Sequence, residues 1–166
     1  MNDSGRIVGA SGSPDGHSIA VMWAQPGSQA QPIVPSSYDA VDSWAGAINS
    51  SGQIVGFFRD NSGQEWPYLY NSNSGVFEVI GSNVGLHGEA IGINQKGTVL
   101  LSNSFHYALF TYDGTTLTRI PPFRNGLGAW AYAINDFSDL AGAVTDGSSD
   151  VIAAIYNAVT SSWIST

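Results

Sequence analysis

Cysteine is absent from this 166-residue chain, and with it disulfide staples, thiolate nucleophiles and cysteine-ligated zinc. Charge is also scarce. Asp, Glu, Lys and Arg make up 11% of the residues, less than half of the roughly 25% usual in soluble domains. Only five residues are basic against thirteen acidic, which leaves a net charge of −8. That sign opposes neutralisation of phosphate and docking on anionic lipid, so neither nucleic acid nor a membrane surface is expected as a partner. No apolar run approaches the ~18 residues of a membrane span, and membrane insertion is not expected. The opening residues, Met1 to Gly5, read as a turn and not as an export signal. Any such signal is expected to have been removed or to lie outside this sequence.

Glycine, by contrast, supplies 20 residues, and Ser and Asn are plentiful. That balance favours many short strands joined by tight turns and argues against a helical bundle. The length suits a single domain over residues 1–166 with one core, able to bury roughly 70% of the unfolded surface.

Self-similarity organises the chain. An Asn-x-x-Gly turn followed by an apolar pair and a small residue begins at Asn2, Asn49 and Asn94, with a degenerate copy at Asn135. The spacings between these Asn residues are 47, 45 and 41, a period expected of propeller blades. Before the Asn lie Trp44 to Ile48, Glu89 to Ile93 and Trp130 to Ile134, where positions 45 and 47, 90 and 92, 131 and 133 hold only Ala or Gly. Period two means strand, and small side chains suit an innermost strand A near a crowded axis. Strand B follows the turn, for example Arg6 to Ala10. Strand C is expected at Ile19 to Trp23, Trp66 to Tyr70, Tyr107 to Phe110 and Ile152 to Tyr156. Strand D is expected at Ile33 to Val34, Val76 to Ile80, Leu117 to Ile120 and Ser162 to Ile164. The sequence thus predicts an all-β, β-propeller-like array of four repeats, approximately 1–42, 43–87, 88–128 and 129–166. The blades are antiparallel and four-stranded, except that the first lacks its first strand.

The Ala-x-Ala-Ile-Asn-x-x-Gly-x-Ile-Val-Gly run, complete in the second copy, resembles the HAF repeats of bacterial extracellular proteins along essentially the whole chain. That resemblance implies a propeller-type array, commonly exported, so an extracellular or periplasmic location is expected, with the cytoplasm not excluded. The His-Ala-Phe triad that names the family is missing: its first slot holds Ile19, Trp66, Tyr107 and Ile152. Whatever that His does in the family is therefore not assigned here.

With fifteen strands instead of sixteen, three accounts of the ring remain open: a tight four-bladed ring with one thin blade, a homodimer that completes the ring, or part of a longer array. Open sheet edges invite pairing with another chain.

Candidate chemistry is sparse. There is no Gly-x-Ser-x-Gly elbow, and Ser11 in Gly9-Ala10-Ser11-Gly12 is its nearest imitation. His17, His87 and His106 show no zinc-ligand spacing. His87 stands beside Glu89, which fills the slot of Trp44 and Trp130 in the other copies, a departure that marks the pair as the catalytic candidate. Calcium takes oxygen ligands. Asn2, Asn49, Asn94 and Asn135 offer amide oxygens in a ring, although each also suits a local hairpin cap. Asp60 with Glu65, and Asp146 with Asp150, are loop alternatives for the same ion. Trp44, Trp130 and Tyr132 offer faces for a sugar ring or apolar ligand, or for packing between blades. The expected function is a non-enzymatic binding module whose rim loops contact a small molecule, glycan or protein partner. The alternative is a calcium-dependent hydrolase of lactones or related esters, by analogy with six-bladed lactonases that hold calcium at the axis.

Overall fold

A computed structural model describes residues 1–103, 108–123, 128–145 and 150–165. They form fifteen strands in four antiparallel sheets, each running in chain order from its first strand to its last. Blade 1 holds β1 (Ile7–Gly12), β2 (Ser18–Trp23) and β3 (Gln31–Pro32). Blade 2 holds β4 (Asp42–Ile48), β5 (Gln53–Arg59), β6 (Glu65–Asn71) and β7 (Val76–Val79). Blade 3 holds β8 (Glu89–Ile93), β9 (Val99–Ser102), β10 (Leu109–Tyr112) and β11 (Leu117–Arg119). Blade 4 holds β12 (Ala129–Ile134), β13 (Leu140–Thr145), β14 (Val151–Asn157) and β15 (Ser162–Ser165). The all-β, propeller-like architecture with a three-stranded first blade is therefore as the repeats predict.

The Asn-x-x-Gly hairpins owe their form to local chemistry. In the second copy the Gly52 N–H donates to the Asn49 carbonyl and the Gln53 N–H to Asn49 Oδ1, at 3.1 and 3.0 Å. Gly5, Gly52 and Gly97 take positive φ at the closing position, and the degenerate copy forces Ser138 to φ 65° there. Each hairpin then pairs an apolar residue of strand B with an aromatic of strand C: Ile7 with Trp23, Ile54 with Tyr70, Val99 with Tyr112 and Leu140 with Tyr156.

Two details depart from the sequence reading. The last strand of blade 1 is Gln31–Pro32, and Ile33, expected within it, instead donates its N–H to the Ala20 carbonyl while its side chain is buried. More consequential is a register shift in every strand A, between Ala45 and Ala47, Ala90 and Gly92, and Ala131 and Ala133. The skipped residues are Gly46, Ile91 and Tyr132. A bulge reverses the side-chain alternation beyond it, so the small residues do not share one face. Ala45 packs toward blade 1 while Ala47 packs toward blade 3. Beside the shift in blades 2 and 4 the Trp44 and Trp130 carbonyls approach Gly56 and Gly142, where a β-carbon would lie 1.9 Å from the oxygen, whereas blade 3 carries the same shift with Leu101 in that place. Glycine in the Ile-Val-Gly motif is thus a notch for the carbonyl of strand A. Gly9 keeps the same place in blade 1, where no strand A exists, and a β-carbon there would meet only the Trp23 ring, at 3.7 Å.

Instead of one core there are three, each between consecutive blades. Ala20 and Met22 of blade 1 meet Ile54, Phe58 and Tyr68 of blade 2. Val55 of blade 2 meets Val99, Leu101 and Tyr112 of blade 3. Leu100 and Leu109 of blade 3 meet Leu140, Val144 and Tyr156 of blade 4. Among the described residues no core joins blade 4 to blade 1, so the four blades form an open arc.

Candidate functional site

The four repeat asparagines form a spine. Asn2 Nδ2 donates to the Asn49 carbonyl at 3.0 Å, Asn49 Nδ2 to the Asn94 carbonyl at 3.1 Å, and Asn94 Nδ2 to the Asn135 carbonyl at 3.0 Å. Asn135 Nδ2 donates instead within its own hairpin, to Asp139 Oδ2 at 3.2 Å. Each Oδ1 meanwhile accepts backbone N–H groups of its own hairpin: Arg6 on Asn2, Gln53 on Asn49, Lys96 and Thr98 on Asn94, Phe137 and Asp139 on Asn135. Asn49 and Asn94 are only 1% and 3% exposed, as buried amides with all their partners can be. These oxygens are engaged as caps of their own hairpins, the alternative to a calcium ring that the sequence also offers. The local cap is the role the geometry gives them, and the bond between repeats is one that spacing alone does not reveal.

Asp60 is a cap as well. Its Oδ1 accepts the Ser62 and Gln64 N–H groups and the Ser62 hydroxyl, and its Oδ2 accepts Trp66 Nε1 at 2.8 Å. The Ser62 hydroxyl and the Trp66 indole, helped by the backbone donors, lower its pKa to about 2. Its expected companion Glu65 instead pairs with Arg59 at 2.8 Å. Asp150 is exposed just before β14, and Asp146 and His106 lie outside the described residues. Among the described residues no three acidic or His side chains assemble in a metal-holding group.

His87 and Glu89 flank Gly88, whose N–H donates to the Glu65 carbonyl at 2.9 Å and fastens blade 3 to β6. The His87 ring meets Trp66 edge-on at 4.4 Å, and its buried Nδ1 has no hydrogen-bond partner. Half-buried Glu89 has its pKa raised, first by burial and then by the negative Glu65, with Arg59 opposing. Arg59 lies 3.9 Å from Asp42 and holds its guanidinium 5.6 Å from the Trp44 ring centre. Trp44 also stacks on Phe57, at 4.9 Å and 21°. Packing and cation–π contact therefore occupy this aromatic. Trp130 lies against Gly128 on blade 4, and Tyr132, the bulged residue, is 72% exposed. The three candidate aromatics do not form one surface, since blade 3 separates Trp44 from the other two.

A different groove gathers aromatics and acids. Tyr38, Phe58, Trp66 and Val79 line it with Asp60, Glu78 and Ser82. The loop between blades 1 and 2 supplies Tyr38, which rests on Phe58 and Phe77 at 5.5 and 5.0 Å. Glu78 Oε1 accepts the Tyr112 hydroxyl of blade 3 and so is held in place. Sequence reasoning missed this site because Tyr38 lies in a loop without repeat pattern. Compared with family models, with curated proteins and with solved structures, the chain matches none.

Proposed function

We propose that this chain is a non-enzymatic binding module that takes a glycan or similar polyhydroxylated small molecule into the groove of Tyr38, Phe58, Trp66, Asp60, Glu78 and Ser82. The carrying observation is the lining itself: the accessible rings of Tyr38 and Trp66 over buried Phe58, beside two fixed carboxylates and a hydroxyl, with no basic side chain among them. Aromatic faces take the apolar side of a sugar ring while carboxylate oxygens accept its hydroxyl protons. The Asp60 carboxylate stays ionised at neutral pH and its Trp66 bond fixes the indole plane, so the groove is organised before a ligand arrives. Export from the cell, which the HAF resemblance implies, belongs to the same proposal.

The test is a tryptophan-fluorescence titration of the chain with a panel of neutral oligosaccharides. A saturable change with at least one sugar, weakened tenfold or more by Tyr38→Ala with the melting transition retained, is the expected result. A flat response across the panel, or a Tyr38→Ala affinity equal to the native one, sinks the proposal. The hydrolase alternative draws on the raised Glu89 pKa and the unpartnered His87 Nδ1. EDTA-sensitive hydrolysis of an acyl lactone, lost in Glu89→Gln, would favour it over the binding reading.

A further inference from the structure

The two ends of the arc are complementary. In blades 2 to 4 the face turned toward the preceding blade carries the strand B and C pairs Ile54 with Tyr70, Val99 with Tyr112 and Leu140 with Tyr156, and all six side chains pack into the cores between blades. The equivalent pair in blade 1, Ile7 with Trp23, meets no other blade among the described residues. It is partly buried and belongs to no core among the described residues.

At the far end the relation is inverted. Val8 with Met22, and Val55 with Leu69, lie on the faces turned toward the following blade and pack against it. Their equivalents in blade 4 are Ala141 with Ile155, and Ile155 pairs onward with Ile164. Ile155 is 55% and Ile164 60% exposed, with Ala133 and Ala141 open beside them in a shallow depression. Contiguous apolar surface of this kind on a blade face marks a contact surface.

The polar spine ends in the same way. The Asn49, Asn94 and Asn135 carbonyls each accept a hairpin N–H and the side-chain amide of the preceding repeat. The Asn2 carbonyl accepts the Gly5 N–H at 3.0 Å, and among the described residues no side chain donates to it. Asn135 is exposed, and among the described residues its amide bonds only the Asp139 carboxylate of its own hairpin.

We infer that the open face of blade 4 takes blade 1 of a second copy of this chain, seating Ile7 and Trp23 on Ile155 and Ala141 and passing the Asn135 amide to the partner's Asn2 carbonyl. The contact repeats the three junctions already inside the chain and is head-to-tail, so it closes only if the turn per blade permits. Two arcs of four blades give eight, within the about four to eight blades of ordinary propellers, so the expected assembly is a closed dimer. Each copy carries a charge of −8, so association strengthens as salt screens the repulsion.

The experiment is light scattering and sedimentation of the purified chain across concentration and salt, with two variants. The native chain should show twice the chain mass. Ile155→Glu, at an exposed site that leaves folding intact by circular dichroism, and Ile7→Glu should each shift it to the single-chain mass. Mixed together, the two variants should associate again through the one junction that keeps both native faces. A native chain of single mass at every condition overturns the inference, as does an Ile7→Glu variant that still dimerises, since that result means two blade 4 faces meeting each other. The sugar titration of the groove is unaffected by either outcome, so binding and self-association stand or fall separately.

Discussion

The carbonyl oxygen of Trp44 lies 1.9 Å from where a β-carbon on Gly56 would be, and Tyr68 holds it there through a hydroxyl hydrogen bond of 2.9 Å. The obstacle is backbone tied by a buried side chain, so it has little room to yield. Gly56→Ala should lower stability by about 3 kcal/mol, the upper part of the usual overpacking range. Gly9→Ala, at the matching place without an opposing strand, should change stability by less than ~0.5 kcal/mol. Urea denaturation of the two variants checks the contrast, and equal losses would show that the notch is not the cause.

The spine predicts a gradient. Asn49→Ala removes a buried cap and a bond between repeats, and it leaves the Gln53 N–H without its side-chain acceptor. A loss of ~2–4 kcal/mol is expected, a cap plus a buried donor left unpaired. Asn135→Ala, at an exposed site whose amide bonds its own hairpin, should cost ~0.5–1 kcal/mol. Thermal melts at neutral pH separate the two.

Two carboxylates should move acid stability in opposite directions. Asp60 has a folded pKa of about 2, below the ~3.9 of an unfolded Asp. Its contribution is complete above that unfolded value and disappears as the pH falls toward the folded one. Asp60→Asn should therefore cost on the order of 1 kcal/mol at neutral pH and little near pH 2. Glu89, raised by burial and by Glu65, opposes folding once the pH exceeds the ordinary Glu value. Glu89→Gln should stabilise the fold at pH 7, with the gain vanishing in acid. Denaturation midpoints measured from pH 2 to 7 give both signs.

Among the described residues blade 4 is covered on one face, whereas blades 2 and 3 are covered on both. Amides of the second strand in each sheet offer a fair comparison. In the Ile7→Glu variant at single-chain mass, where no partner covers blade 4, β13 should exchange hydrogen at least ~10-fold faster than β5 and β9, because local opening there breaks a single core. Uniform protection across the three strands would contradict the open arc.

Much of this fold was legible because it recurs. The fourfold Asn-x-x-Gly turn placed the hairpins, and the aromatics Trp23, Tyr70 and Tyr156, each 21 residues beyond their Asn, marked strand C. The third copy hides its equivalent, Tyr112, only 18 residues beyond Asn94. The bulge was not legible, since Ala45 and Ala47 look like period two whether or not the register slips between them. Nor was the groove, because Tyr38 and Ser82 reach Trp66 only through loops whose course no pattern fixes. Glu89 stood out from its repeat and does occupy an unusual electrostatic setting. Trp44 matched its repeat, and its faces are spent on Phe57 and Arg59.

The asparagine spine bears on how such a chain can lengthen or shorten over evolutionary time. Each link joins the same two atoms of consecutive repeats, from a side-chain amide to a main-chain carbonyl. Duplicating or deleting a whole repeat re-creates every link, while gaining or losing part of one leaves an amide facing the wrong backbone. Sequence within a repeat is then free to drift, as Leu101 has done in the place that Gly56 and Gly142 hold, provided the Asn and its turn survive. Repeat number becomes the quantity that genetic recombination can vary without redesigning any junction.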